Sequence, residues 1–516
     1  MQKLQKQAHI IRWLLHHNPD VRPTSEELLK SQYIPPKIED NDLEEILNHT
    51  LATTNSTRYR TLVSFMMNQE IAQNKLDLTY DYELVTSQYS RKHAVVQQLV
   101  HDELVGVFRR HGFLMLNTPL LVPKTKVCKQ AETSVTAMDR SGAILTLPYD
   151  LRTSFARYLA RNDFPSLKRY SIGRVYRDTR ILGVHPREHC ECALDIATSS
   201  PSDHVPDAEI LCVVGEIIEK FSSLDSRNYY VRINHAVLTR SILSANGVPD
   251  EKIADVISLL QEARKEVDQA VVKRFLESLS LSDTTVVKIC QWLLTETPMG
   301  EARSALDHFS RGRRTVNYRV RTAIQDLEKI VKHARRMGLS LSVVLFPGLV
   351  YNYQRMSGAL FQFVAEKTGR RSNASGIDIL AAGGRYDKLV SVFSRGKELP
   401  AGYGAVGVSL NVERVIQSVV QKSEFGDLQV GMCEVLVCAV GENPLLVERA
   451  EIVRRLTGKW MNISASLWYE PLSHSTLDET QAHCRDCGIQ YLVIMEENTP
   501  TRVCSIEWDR LRSCRL

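Results

Sequence analysis

At 516 residues the chain is long enough for about three ordinary domains, and with 43% hydrophobic and 24% charged residues it fills globular cores and is not a disordered tail. The net charge of +5 is small for that length, which excludes a strongly basic or acidic protein whose partners could be read from charge alone. The eleven cysteines are scattered, no apolar run of about 18 residues occurs, and the start lacks the basic tip and apolar core of a signal peptide, so a cytoplasmic chain with no membrane segment is expected.

Ile10, Ile11, Leu14 and Leu15 recur at helical spacing. The run HHNPDVRPT breaks that helix, and SEELLKSQYI restarts one with Thr24 or Ser25 as its cap. Residues 35–84 are polar and read as a linker carrying one amphipathic helix near 41–51. A long mixed domain follows over 85–425. Val96, Leu99, Val100, Leu104, Val107 and Phe108 line one face of a helix that Gly112 ends. Strand-like runs come at GFLMLNTPLL and AILTL, then a helix over 151–162 and a strand at KRYSIGRVYR. Between Asp150 and Glu188 nine Arg and Lys stand against four acids, a locally basic segment that is otherwise an ordinary solvated face.

The stretch 206–340 is largely helical in pattern, and its charged block predicts a helical insertion over about 235–340. Strand signals return at LSVVLF and GALFQFVAE. Over 430–516 apolar runs alternate with helices, CEVLVCAV, NPLLVERAEIVRRLTG, ISASLWY, HSTLDETQAHCRDCG and YLVIM, which implies a small domain with a parallel sheet, truncated and without an evident finishing element. Cys484 and Cys487 form a C-x-x-C with no second pair at zinc-like spacing, so no metal is expected. Trp460 and Trp468 read as packing residues. Arg311-Gly-Arg-Arg and Lys332, His333, Arg335 and Arg336 are either contacts to an RNA backbone or a solvated helix face.

The segment RWLLHHNPDVRPTSEELL resembles the last stretch of the protein-kinase fold, which places the end of a kinase C-lobe at 1–34 and implies a structural role for Arg22. The Gly-rich phosphate loop, the paired lysine, the H-R-D loop and the D-F-G motif do not occur in this sequence, so no kinase catalysis is expected from it. Residues 85–425 resemble the core of histidyl-tRNA synthetase at five places in order. GFLMLNTPLL resembles the first class II motif, a dimer interface in the family. LPYDLRTSFARY and LKRYSIGRVYRDTRILGVHPREHCECALDI resemble the second, which holds ATP and the tRNA acceptor end. AAGGRYDKLV resembles the glycine-rich histidine pocket, and GAVGVSLNVERV the third motif. The resemblance implies an α/β and α+β multidomain chain: a class II antiparallel sheet with helices, an anticodon-binding-like α/β domain, and the kinase remnant.

Amino-acid activation needs cations placed where phosphate charge develops. Where the family has R-G-L-D-Y-Y, this sequence has Pro347, Gly348, Leu349, Val350, Tyr351 and Asn352, so Pro347 replaces the cation and Val350 the acid. The L-R-P-E entry reads Leu147, Pro148, Tyr149, Asp150; the family's glutamine is Glu191; and Asn411 replaces a glycine, where it is expected to crowd a nucleotide. Histidine activation is therefore read as lost. The remnants are Asp150, Glu191, Asp195, Gly383, Gly384, Arg385, Tyr386, Asp387, Glu413 and Arg414. The expected tRNA contacts are Tyr176 and Arg177, with Arg174, Arg187, Lys168 and Arg169. A competing reading makes the survivors scaffold alone, through a glycine pair at a strand and a buried Arg–Asp pair.

The order of kinase end, linker, decayed synthetase core and anticodon-like domain resembles the family of amino-acid-control kinases that phosphorylate the alpha subunit of translation initiation factor two. That resemblance implies a regulatory region that binds uncharged tRNA in starvation, with the chain's own kinase domain, a second copy and the ribosome as partners. It implies no cofactor for this chain, ATP belonging to the kinase domain. The alternatives are an active histidyl-tRNA synthetase and a dimerisation scaffold without tRNA binding.

Overall fold

The computed structural model describes residues 2–29, 31, 49, 57–67, 91–124, 134–162, 166–177, 186–199, 203–222, 227–262, 269–279, 281–306, 314–351, 355–366, 377–394, 399, 403–422, 433–470, 472, 477–506 and 510–513. The chain falls into two bodies, residues 1–73 with 137–145, and residues 74–136 with 146–516.

In the first body α1 (Gln2–Leu14) and α2 (Ser25–Leu29) flank a short 3-10 turn, and α3 spans Thr57–Met67. Thr24 caps α2: its Oγ accepts from the Glu27 amide at 3.2 Å while Glu27 accepts from the Thr24 amide at 2.9 Å, a reciprocal box. Arg22 donates from Nε to the His16 carbonyl at 2.9 Å, which ties the break between the helices. The helix expected near 41–51 lies outside the described residues, apart from a helical His49.

In the second body the periodic helix is α4 (Arg91–Arg110), with Val96, Val100, Leu104, Val107 and Phe108 buried. Gly112 follows at φ +74°, the left-handed turn that ends a helix with least strain in glycine. GFLMLNTPLL supplies only the two-residue strand β1 (Leu114–Met115). In chain order come the short strands β2 (Val122–Pro123), β3 (Thr136–Met138) and β4 (Ile144–Thr146), of which residues 137–145 belong to the first body; the second continues with α5 (Leu151–Leu159), β5 (Ser166–Arg177), β6 (Arg187–Thr198) and α6 (Val205–Ser222). Then follow β7 (Tyr229–His235), α7 (Ala236–Ala245), α8 (Asp250–Glu262), α9 (Gln269–Glu277), α10 (Asp283–Leu294), β8 (Thr297–Pro298), α11 (Ala302–Leu306) and α12 (Arg314–Arg336). The body's core is completed by β9 (Ser342–Leu345), β10 (Ala359–Glu366), β11 (Ile377–Arg385), α13 (Asp387–Phe393), β12 (Gly404–Asn411) and α14 (Val412–Lys422).

Nine strands form one sheet in the order β1-β5-β6-β12-β11-β10-β7-β9-β8. The run from β5 to β7 is antiparallel, and only β1 on β5 and β9 on β7 pair in parallel. One face of this sheet shares a core with α4, α6, α12 and α14, through Tyr170, Leu194, Phe361, Val408, Leu327 and Ile416. The other face is covered by α5 and α13, through Phe155, Leu159, Leu360, Tyr386 and Leu389.

The predicted insertion over 235–340 is therefore too long. Leu243 of α7 and the apolar faces of α8, α9 and α10 form their own core, whereas Val320, Ala323, Ile324, Leu327, Ile330 and Ala334 of α12 belong to the main core under the sheet. The charged positions of α12 lie on its outer side, which made it look independent in sequence. The terminal domain has the expected order, β13 (Val435–Val440), α15 (Leu446–Leu456), β14 (Ala465–Leu467), α16 (Leu477–Asp486) and β15 (Tyr491–Glu496), with β13 parallel to both β14 and β15. It also carries β16 (Arg502–Ser505) and β17 (Arg510–Ser513), antiparallel additions that the sequence reading lacked.

Candidate functional site

The face covered by α5 holds the charged residues. Asp150 is the N-cap of α5, accepting from the Thr153 amide at 2.7 Å, so its carboxylate serves the helix start. Two residues on, Arg152 reaches Asp195 of β6 at 3.1 Å through Nε. Arg169 of β5 meets the same carboxylate at 3.0 Å through Nε and at 2.8 Å through Nη2, and the Tyr386 hydroxyl donates to it at 2.9 Å. Asp195 and Arg169 are fully buried. Arg169 also donates to the carbonyls of Leu116 and Leu151 and lies 3.7 Å from the Phe155 ring, so every side of its guanidinium is taken by the fold. Burial, then the Asp195 charge, push the Tyr386 phenol far above its ordinary range, keeping it a neutral donor.

Glu191 sits four residues before Asp195, two strand periods away on the same face of β6, and it accepts from Ser409 Oγ at 3.0 Å and the Leu151 amide at 3.3 Å. Burial and the neighbouring Asp150 raise its carboxyl against the pull of Arg152. Arg177 approaches Glu191 only to 3.8 Å, and its guanidinium carbon lies 5.0 Å from the Tyr149 ring. Its side chain is 36% exposed, and its buried Nε has no hydrogen-bond partner among the described residues. Ser134, bridged to Arg177 through the backbone, likewise has a buried Oγ without a partner. A hollow lined by Pro148, Tyr149, Asp150, Thr153, Arg157 and Phe393 opens on the Tyr149 side.

The glycines of this sheet are close-approach positions. A Cβ on Gly383 would lie 2.3 Å from the Gly407 carbonyl, one on Gly384 2.5 Å from the Ala359 carbonyl, and one on Gly407 2.0 Å from Asp195 Oδ1. Arg385 pairs with Asp207 at 2.6 Å and Asp387 at 3.7 Å, and Asp387 accepts from the Ala405 amide at 2.6 Å. Both of these survivors brace strands.

The histidyl-tRNA synthetase family model matches residues 87–415. The chain belongs to the histidyl-tRNA synthetase family. Over 525 aligned residues it is 33% identical to the eIF-2-alpha kinase GCN2 of Homo sapiens and 34% identical to that of Mus musculus, in each case across 99% of this chain and 31% of the relative. It thus spans about a third of the length of those kinases and corresponds to their C-terminal portion with the synthetase-like region. The histidine–tRNA ligase of Danio rerio is 28% identical over 433 residues, covering 80% of this chain and 81% of that one. Histidyl-tRNA synthetase from Nostoc sp. PCC 7120 shares the fold with a TM-score of 0.63 at 17% identity, over 81% of this chain and 93% of that chain.

Against the synthetase pattern, the positions read as lost have become structural. The Pro347 carbonyl accepts from Asn234 at 3.1 Å and Thr239 at 2.7 Å, and Val350 packs into the core of α8 to α10. Asn411, expected to crowd a nucleotide, has a role in the fold itself. Its Oδ1 accepts from the Arg414 amide at 3.2 Å, so it caps α14. Glu413 holds His189 at 3.3 Å and the Cys190 amide at 3.3 Å, while Arg414 donates to the Ile379 carbonyl at 2.9 Å.

The expected tRNA contacts divide by strand alternation. Arg169 and Arg177 face α5; Lys168, Arg174 and Tyr176 face the other way. Tyr176 hydrogen-bonds Glu188, and burial followed by that carboxylate raises its phenol. Arg174 pairs with Glu188 at 3.0 Å, and Lys168 with Glu209. Arg187 is placed on β6 opposite Arg177, its side chain being outside the described residues, as are 178–185 and 311–313. Tyr176 and Arg177 therefore point to opposite faces of β5, and Arg169 is fully buried.

Elsewhere, Arg335 donates to the Leu339 and Ser340 carbonyls and Lys332 and Arg336 are exposed. Cys484 and Cys487 are buried thiols of the terminal core, and burial raises Cys484 to about 12. Trp468 packs against that core, whereas Trp460, read as a packing residue, is fully exposed.

Proposed function

We propose that this chain is the sensory region of an eIF-2-alpha kinase: it binds uncharged tRNA when amino acids run short, and that binding raises phosphorylation of the factor and lowers translation. The observation that carries this reading is Arg177. Around it the synthetase cations are replaced or neutralised, yet this guanidinium keeps a partly exposed side chain and an Nε without a partner among the described residues, next to the Tyr149 ring that lines a hollow, which suits a phosphate of the acceptor end. Alignment with GCN2 kinases across 99% of the chain supports the regulatory setting, because a ligand activates a kinase only by binding its active arrangement more tightly. A second copy is expected to pair through the segment around β1, where Leu114, Met115, Leu120 and Leu121 are exposed.

The test separates the two neighbours on β5. Arg177→Leu is expected to weaken deacylated-tRNA binding by about 1.5–3 kcal/mol, the range for a hydrogen bond to a charged group, and to block starvation activation in the full-length kinase. Tyr176→Leu alone should cost less, since its side chain faces away. Binding should also fall steeply with salt. Arg177→Leu that keeps its melting temperature and binds tRNA like the wild type would refute the assignment. ATP–pyrophosphate exchange with histidine would instead favour an active synthetase.

A further inference from the structure

Arg152 is unlike its neighbour Arg169. Arg169 is fastened by backbone carbonyls and an aromatic ring, whereas the bonds of Arg152 run from α5 to side chains of the sheet. Its Nε meets Asp195 Oδ1 at 3.1 Å and its Nη2 meets Ser409 Oγ at 3.3 Å. Its guanidinium carbon lies 5.4 Å from the Tyr386 ring, whose hydroxyl shares Asp195 Oδ1. Ser409 passes the contact on to Glu191. The side chain is 7% exposed, Asp195 is 0% and Glu191 is 5%. Two buried carboxylates, a hydroxyl and an aromatic face are the lining of a site for a planar cation. Leaving that lining empty would be costly, because buried charge must be paired.

We propose that Arg152 is an internal ligand: its guanidinium fills, from within the chain, a planar-cation site made by Asp195, Glu191, Ser409 and Tyr386, and so closes the synthetase-like pocket to free histidine. The position matching the family's glutamine is Glu191, a buried carboxyl that Ser409 links to the Arg152 guanidinium. The proposal concerns the amino-acid pocket and stands whether or not tRNA binds the chain.

Removing the side chain should unmask the site. In the full 516-residue chain, Arg152→Ala is expected to lower the melting temperature, and millimolar guanidinium chloride, far below denaturing levels, is expected to restore most of that loss in a saturable way. Sodium chloride of equal ionic strength and urea, which has the shape without the charge, should restore none, and guanidinium should not raise the melting temperature of the wild type. Equal recovery with sodium chloride, or no recovery with guanidinium, overturns the proposal. Should Arg152→Ala not fold, its refolding yield in guanidinium against sodium chloride gives the same comparison. Titrating wild type with histidine in a calorimeter is the independent arm: no binding is expected, and saturable binding with Arg152 in place overturns the proposal.

Discussion

Asp195→Asn is the substitution by which the structure can be judged most severely, because it changes almost no volume. The native carboxylate has no exposure and takes donors from Arg152, Arg169 and Tyr386 at 2.8–3.1 Å. An asparagine offers one oxygen and turns an NH2 group toward donors, so at least one guanidinium loses its partner while staying buried. A single lost neutral hydrogen bond would cost about 1 kcal/mol, whereas breaking a buried ion pair from one side costs about 3–5 kcal/mol. The larger figure applies here, since neither arginine can reach water without leaving the core. The assay is urea unfolding followed by amide hydrogen exchange in β6, which isolates the body containing the substitution from the rest of a chain that need not unfold in one step. A loss below about 1 kcal/mol would mean that the arginines are solvated or paired elsewhere, and the buried cluster as described would be wrong.

Gly407→Ala should cost about 1–3 kcal/mol or more, because the new Cβ would stand 2.0 Å from Asp195 Oδ1 and 2.8 Å from the Leu194 carbonyl, and the latter is backbone that cannot swing aside. Thermal denaturation measures it, and an unchanged melting temperature counts against the strand spacing at this point. His235 predicts acid sensitivity. Burial, opposed by Asp326, lowers its imidazole to about 4, and its Nδ1 accepts from the Val237 amide at 3.2 Å as the cap of α7. The unfolded chain therefore binds this proton first, so the stabilisation is complete above the ordinary histidine range and is lost as pH falls toward 4, by about 2 kcal/mol between pH 7 and pH 5. His235→Asn keeps a capping acceptor without the titration. Equal urea midpoints against pH for the two proteins would contradict the assignment.

The parts that were legible in sequence are those whose signal is periodic. The stripe from Val96 to Phe108 gave α4, and KRYSIGRVYR gave β5, because each buries one face. β7 escaped because YYVRINH is buried at five of its seven positions and shows no alternation, and it lies among helices. β16 and β17 escaped because RVCS and RLRS are short and arginine-rich. That Tyr176 and Arg177 point to opposite faces was legible from a rule that was available: consecutive residues on a strand alternate in side. Asn411 carried a capping signal, a side-chain acceptor three residues before the Arg414 amide, that was hidden by reading the position only as a lost glycine. Arg152 gave no signal at all, since a cation two residues into an amphipathic helix looks like its solvated face, and only the sheet opposite shows that it points inward.

The substituted synthetase positions are each taken into the packing of the fold. Deleting a synthetase's catalytic cation and acid without replacement would leave polar groups facing a dry cavity, at a cost the remaining contacts would have to offset. Here each loss is taken up locally: Val350 joins a hydrophobic core, the Pro347 carbonyl is held by Asn234 and Thr239, and Asn411 caps a helix. Arg152 does the same for the acidic floor. Arg177 is the exception, with an Nε that finds no partner among the described residues and a side chain 36% exposed. Scaffold alone predicts that such a position would drift to a residue needing no partner. A contact made only when RNA arrives predicts an unsatisfied guanidinium in the free chain. Under the two proposals together, the pocket is shut to free amino acid by Arg152 while Arg177 stays open to phosphate, so that the level of uncharged tRNA, and not the level of histidine, is what the module can report.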